Sequence, residues 1–468
     1  MNPLTATEVP GDEQTAPRQE SGGGGGLDSY FKLTERGTTV GTEVRAGITT
    51  FLVMAYIIFL NPLILSNMVP EGDRGTFIAA ASAATALLAG ILTIAMGIVS
   101  NYPIALAAGL GINAIVAFTL VLGLGLSPAG AMGVIVLEGL IVLVLVLVGL
   151  REAIMDAVPL ALKRAIGVGI GLFILFIGFV DGGLIGQGTP VVQFLFPTEP
   201  ADWVFVLGLV LTIVLYVLRV RAALLISIVV MSIIAFLLGI TELPPDGTSF
   251  VPNFSTLGQF DVTEVWNLGI LAAALTIFAI MLTDFFDTMG TATAITEQAG
   301  LTTPDGRVPG INRVLIVDSV AAAAGGAAGI SSNTSYIESA AGVAEGGRTG
   351  LTSVVVGVLF LLAVLITPLA PMVPFAATGP VLVVVGYLMA VLIKDIDFAN
   401  IEEGLPALLG ITLMPLTYNI TVGIGAAFVS WVLIKVVRGK TGEIHPLMWI
   451  VAVAFLIYFA QAWLNSVI

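Results

Sequence analysis

The sequence contains no cysteine, a single histidine (His445), and charge on only 10% of its 468 residues. Without thiols there is no disulfide framework and no thiolate metal site, and one imidazole excludes a histidine cluster. So little charge, set against 57% apolar residues and a mean hydropathy of +1.06, excludes a water-soluble domain of any fold class. The alternating ~10-residue segments of a membrane β-barrel are missing too. No phosphate-cradling glycine loop, metal-ligand spacing or nucleophile constellation appears. Nothing therefore supports catalysis on a solute, a metal, a cofactor or a nucleic-acid partner.

What is present is a succession of apolar runs of about 20 residues, each long enough to cross roughly 30 Å of hydrocarbon as a helix. The reading is an all-α polytopic membrane protein. The runs are 48 to 67, 76 to 99, 104 to 125, 128 to 149, 159 to 181, 202 to 219 and 222 to 240, then, after a polar connection at 241 to 264, 266 to 290, 311 to 328, 331 to 346, 349 to 370, 373 to 394, 402 to 418, 420 to 437 and 446 to 465. The formal net charge of −14 lies in the tail and loops, compatible with a salt-loving organism and equally with ordinary acidic loops. Residues 1–44, with their stretch SGGGGGLDSY, read as a flexible cytoplasmic tail. With that tail inside, Arg151, Lys163, Arg164, Arg219, Arg221, Arg307, Arg313, Arg348, Lys394, Lys435, Arg438 and Lys440 all fall in cytoplasmic turns, as the positive-inside rule requires.

Two runs break helical regularity, NYPIALAAGLGINA in the first half and GISSNTSYIESAAG in the second. In hydrocarbon, irregular backbone survives only where protein buries it or where it lines a cavity. Two broken segments meeting near the midplane would form such a cavity, with free N–H groups at the helix starts. Gly109 and Gly111 would let a solute approach the backbone, and Asn113 offers a donor and an acceptor. Seven crossings before the central connection give the second half the opposite orientation, so any likeness between halves implies inverted repeats. A faint one links VPLALKRAIGVGIG with VPFAATGPVLVVVG.

Carboxylates inside apolar runs are the sharper signal, because a charge at mid-bilayer costs at least ~2.5–3.5 kcal/mol and usually marks a pathway. The candidates are Glu138, Asp284, Asp287, Asp318 and Glu338. Asp284 and Asp287 lie three apart on one helical face, where both are not cheaply ionised together, the property a proton relay needs. Glu338 follows a hydroxyl-rich break and precedes a helix start, which favours a functional role. Asp318, beside small residues, reads as structural; Glu138, alone on a Leu/Val/Ile helix, reads equally either way. Glu345 and Arg348 read as a structural pair, and His445 as exposed.

The motifs GTEVRAGITTFLVMAYIIFLNPLIL, ALAAGLGINA, DFFDTMGTATAI, TSYIESAAGVAEGGRTGLT and LMPLTYNITVGI, in order from Gly41 to Lys440, resemble the AzgA-like purine permeases of the nucleobase:cation symporter (xanthine/uracil permease) superfamily. The resemblance implies fourteen segments in two inverted repeats of seven, with a short strand and a half-helix in segments three and ten. It implies a first repeat at 45–240 (core 45–150, gate 151–240), an extracellular connection at 241–264, a second repeat at 265–437 (core 265–370, gate 371–437) and an extra hydrophobic segment at 438–468. Import of adenine, guanine or hypoxanthine with a proton follows from it, sodium being the alternative cation, across the plasma membrane and with a homodimer through the gate. By position in the motifs, the substrate carboxylates are Asp287 and Glu338, joined by Gly111 and Asn113; Asp284 is the weaker match, grouped with Asp287 and Glu338 for proton coupling. Relatives usually carry Pro where this chain has Ala108. The alternatives are uracil, xanthine or an inorganic anion on the same fold, and, from another class, a membrane enzyme or receptor.

Overall fold

A computed structural model describes residues 26–150, 157–189, 191–241, 251–303 and 308–467. Arg151, Arg307, the tail as far as residue 25 and residues 242–250 of the central connection lie outside the described residues.

Helices α1 (Gly26–Phe31), α2 (Val40–Met54), α3 (Ile57–Leu65) and α4 (Arg74–Ser100) lead to strand β1 (Leu106–Ala108) and half-helix α5 (Leu110–Ala114), which continues as a π-helical stretch, Ile115–Gly123. Then come α6 (Pro128–Leu147), α7 (Leu160–Asp181), a ribbon of β2 (Ile185–Gln187) and β3 (Val192–Phe194), α8 (Pro200–Val217) and α9 (Ala223–Leu237). The second half holds α10 (Ile270–Gln298), α11 (Ile311–Ala327), β4 (Asn333–Ser335), α12 (Ser339–Ala344), α13 (Gly350–Ala363), α14 (Phe375–Ala390), α15 (Ile401–Thr417), α16 (Ile420–Val437) and α17 (Pro446–Val467). Starts are written locally: side chains of Thr39, Ser127, Thr349, Asn400 and Asn419 accept first-turn N–H groups, and Pro128 occupies the first position of α6.

Among the described residues nine helices are long and apolar enough to cross a membrane, and the runs at 110–123, 223–237 and 446–460 are shorter apolar helices. The sequence suggested more spans because hydropathy counts apolar length: the two broken runs spend part of theirs on strand and turn, and α9, α11 and α15 are unbroken but only 15 to 17 residues long.

The helices pack as two groups. In one, α4 lies against α13 and α11, α6 against α11, and α2 against α13. In the other, α7 lies against α14 and α15, α14 against α8, and α15 against α16. Each group has a seam where backbones touch through glycines. Gly97 meets the carbonyl of Gly350 and Gly90 that of Gly357; in the second group Gly171 meets Gly386 and Gly178 meets Gly379. A Cβ at Gly97 or Gly350 would collide with backbone that has no means of yielding.

Residues 26–39, expected within the loose tail, are instead docked. Phe31 and Leu33 are buried against Leu351, Tyr30 Oη donates to Ile98 O at 3.0 Å, and Arg36 Nη1 donates to Arg348 O at 2.9 Å. Asn101 closes α4 in the left-handed region (φ 55°), and its amide joins Phe31 O to Gly350 N. The docked segment was hidden in the sequence because its few apolar side chains, Leu27, Tyr30, Phe31 and Leu33, span less than two helical turns and follow directly on a glycine run.

Candidate functional site

The two broken segments converge. β1 and β4 pair antiparallel, Leu106 opposite Ser335, Ala107 opposite Thr334 and Ala108 opposite Asn333. Gly109 N donates to Ser332 O at 2.8 Å, and Tyr336 N to Ala105 O at 2.9 Å. Hydroxyls satisfy the remaining backbone: Thr93 Oγ1 bonds both N and O of Leu106, Ser353 Oγ donates to Tyr102 O and Ile104 O, and Ser339 Oγ accepts from Ala105 N. This is how a break at membrane depth is tolerated without water. Ala108 is the last residue of β1.

α10 runs past this pair of strands and supplies the carboxylates, which the helix separates by one turn. Asp284 is 1% exposed and faces back toward Ser332, whose Oγ lies 3.4 Å from Oδ1. Asp287, one turn on, is exposed, with Asp318 and Glu338 within electrostatic reach. Glu338 stands at the start of α12 without capping it; its Oε1 accepts from Tyr56 Oη at 2.6 Å. Glu338 also lines a cavity of about 480 Å³ walled by Val53, Tyr216, Arg219, Arg221, Leu224 and Leu388.

The structure thus brings Asp287, Glu338, β1 and β4 together. Asn113 and Gly111 sit on α5, just beyond β1, but neither they nor Asp287 belong to the wall of that cavity. Asn113 is fully buried, and neither its Oδ1 nor its Nδ2 has a hydrogen-bond partner among the described residues. Gly111 abuts the second helix group, where a Cβ would come within 2.9 Å of Ile170 Cγ2. Asp318, read as structural, is so: Oδ1 accepts from Ser335 N at 3.0 Å and from Ser335 Oγ at 2.9 Å, and Oδ2 from Thr288 Oγ1 at 2.6 Å. Among the described residues no three His, Asp or Glu side chains form a metal cluster.

Glu345 does not pair with Arg348. Its carboxylate meets Arg45 at 3.4 Å and Arg221, while Arg348 Nη1 turns to Val343 O and Gly347 O. Spacing of three on one helix predicts neighbours only if the helix continues, and here α12 ends at Ala344. Two contributors escaped the sequence reading. Tyr56 was legible in principle, because a phenol inside an apolar run needs a partner for its hydroxyl. Glu43 was not, since its partners come from Arg348, Thr349 and Thr352, about 300 residues away.

Residues 41–426 match the model of Xan_ur_permease, described as a permease family. Similar curated proteins include a putative permease of Methanocaldococcus jannaschii (38% identity, over 92% of this chain and 98% of that one), the guanine/hypoxanthine permease PbuG of Bacillus subtilis (37%, over 92% and 99%) and the adenine permease AdeP of Escherichia coli (37%, over 94% and 97%). Among solved structures, the transmembrane domain of the cyanobacterial bicarbonate transporter BicA aligns with a TM-score of 0.59 at 14% identity, over 83% of this chain and 97% of that one. The murine anion transporter Slc26a9 in its inward-facing state aligns with the same score at 12% identity, over 93% and 77%. At such identities the structures speak for the fold alone.

Proposed function

Because the chain belongs to the Xan_ur_permease family, we propose that it is a membrane transporter of purine nucleobases, adenine, guanine or hypoxanthine, and not an enzyme. The observation that carries the site is the pairing of β1 with β4 beside Asp287 and Glu338, two carboxylates within electrostatic reach of one another. A planar neutral base offers ring N–H groups to two carboxylates, while the unpartnered amide of Asn113 supplies a donor and an acceptor for a carbonyl or ring nitrogen. Gly111 keeps the half-helix close to the opposing helices. An inorganic anion is disfavoured, because two adjacent carboxylates repel it.

The two helix groups support a division into core and gate, the core carrying both broken segments and α10, the gate carrying α7, α8, α9, α14, α15 and α16. Fourteen spans in two inverted repeats agree with one broken segment in each half. Sliding of one group past the other would expose Glu338 to alternate sides. Symport with a proton, carried among Asp284, Asp287 and Glu338, accords with three carboxylates inside the membrane, and a plasma-membrane location with a cytoplasmic N-terminus accords with the Lys and Arg distribution. A homodimer through the gate group is part of the same reading. The test is a purine panel offered to proteoliposomes under separate pH and sodium gradients. Uptake that follows the proton gradient supports the reading, and indifference to every purine rejects it.

Two further results are expected. Tyr56→Phe removes the phenol donor to Glu338 and should lower purine affinity about 5- to 10-fold, the effect of one hydrogen bond of roughly 1 kcal/mol, measured as KM in uptake. The chain has no cysteine, so Leu388→Cys places its single thiol in the wall of the cavity that Glu338 lines. Labelling of that thiol by maleimide should slow when hypoxanthine is present; unchanged labelling would separate the cavity from the solute path.

A further inference from the structure

Glu138, midway along α6, has no part in the site described, yet it is 0% exposed and neither of its oxygens has a hydrogen-bond donor among the described residues. A carboxylate buried in that way is far more costly than a carboxyl. The charge that bears on it is Asp318 of α11, the helix against which α6 packs closely. Asp318 is satisfied as an anion by three donors, two from Ser335 of β4 and one from Thr288, whose hydroxyl also meets that of Thr334, 2.8 Å away. It therefore holds β4 from behind, at the residues opposite Leu106 and Ala107 of β1. The other charged groups on elements packed against α6 are Asp284, Asp287 and the exposed Glu297 on α10, Glu264 at the outer end, bonded to Ser127, and Arg313 at the exposed start of α11. None of them offers Glu138 a positive neighbour at its own depth.

We propose that Glu138 is a positioning residue that keeps its proton in the transporting chain, so that it adds no second charge beside Asp318, which holds β4, and with it Glu338, in register. Loss of the proton places two like charges in a dry interior, loosens the hold on Ser335 and Thr288, and slows transport. The transport consequence rests on the function proposed above; the protonation itself does not.

The experiment compares the wild type with Glu138→Gln and Glu138→Met in two measurements. The first is hypoxanthine counterflow in proteoliposomes with the same pH on both sides, so that no proton gradient enters, from about pH 5.5 to about pH 8.5. The wild type should slow about fivefold or more toward alkaline pH, while both neutral variants lose that decline. The second is the melting temperature of purified protein over the same range without solute. A carboxyl that stays neutral when folded but ionises when unfolded stabilises most below the ordinary carboxyl range and loses that contribution as pH rises. The wild type should therefore lose melting temperature relative to both variants on going alkaline. Profiles that superimpose in both measurements overturn the proposal, as does failure of both variants to fold, because neutral isosteres must be tolerated where a neutral group belongs. If no chain carries hypoxanthine at any pH, the purine reading falls, and the melting comparison still decides Glu138.

Discussion

Asp287→Asn should cut hypoxanthine uptake in proteoliposomes by about 10- to 150-fold at sub-saturating concentration, the range given by losing a charge-assisted hydrogen bond of ~1.5–3 kcal/mol. The substitution keeps shape and volume, so the helix and its packing should survive. What changes is the chemistry at one face: an acceptor-only group becomes half donor, and a ring N–H that met an oxygen now meets either an amide oxygen of lower charge or another N–H. Asp287, rather than Asp284, is the residue to change because one turn of α10 separates them in function. Asp284 turns inward to Ser332, and Asp287 is exposed and within electrostatic reach of Glu338. Glu338→Gln should produce a loss of the same order. Uptake by Asp287→Asn within twofold of the wild type, about the scatter of such assays and well under the tenfold lower bound, would remove Asp287 from the site.

The second large effect is on the fold. Glu43 is 0% exposed, and its carboxylate accepts from Arg348 N at 2.8 Å, Thr349 N at 3.3 Å, Thr352 N at 3.1 Å and Thr352 Oγ1 at 2.6 Å. It thus caps α13 from another helix, matching an anion to the positive end of the dipole and to amides that have no partner within α13. Glu43→Ala leaves the Arg348 and Thr349 amides without their acceptor at ~1–3 kcal/mol each and weakens the hold on Thr352, which keeps a bond to Thr349 O, a combined loss on the order of 4 kcal/mol against a stability that is seldom above ~15 kcal/mol. The expected result is loss of the monodisperse peak when the detergent-solubilised protein is run by size exclusion, with partial rescue in Glu43→Gln. A Glu43→Ala protein that elutes and melts like the wild type would show that water reaches those amides.

Much of the site was legible because the membrane makes polarity expensive. A hydroxyl-rich break and a carboxylate inside an apolar run have few inexpensive explanations, which is why Glu338 and the Asp284/Asp287 pair stood out and why the two breaks were expected to meet. Which of the two aspartates is buried and which accessible was not legible from a spacing of three, since the face is set by the packing of α10 on β4 and α6. Long-range partners were hidden for the same reason. Nothing near Glu43 in sequence points to Thr352, and nothing near Glu345 points to Arg221. Asn113 was expected to offer its amide to a solute; the structure buries it without a hydrogen-bond partner among the described residues, a condition consistent with that role. The docking of residues 26–39 shows the limit of composition as a guide, because the glycine run ends at Gly26, the first residue of the docked segment.

The account depends on one arrangement, in which two interrupted spans and α10 enclose the place where a base is held. Structure determination of the purified protein with saturating hypoxanthine tests it most directly. Density for the ring beside β1 and β4, with its N–H edges within hydrogen-bond distance of the Asp287 and Glu338 carboxylates, is the predicted result. A ring bound elsewhere while both carboxylates keep only protein neighbours would contradict it.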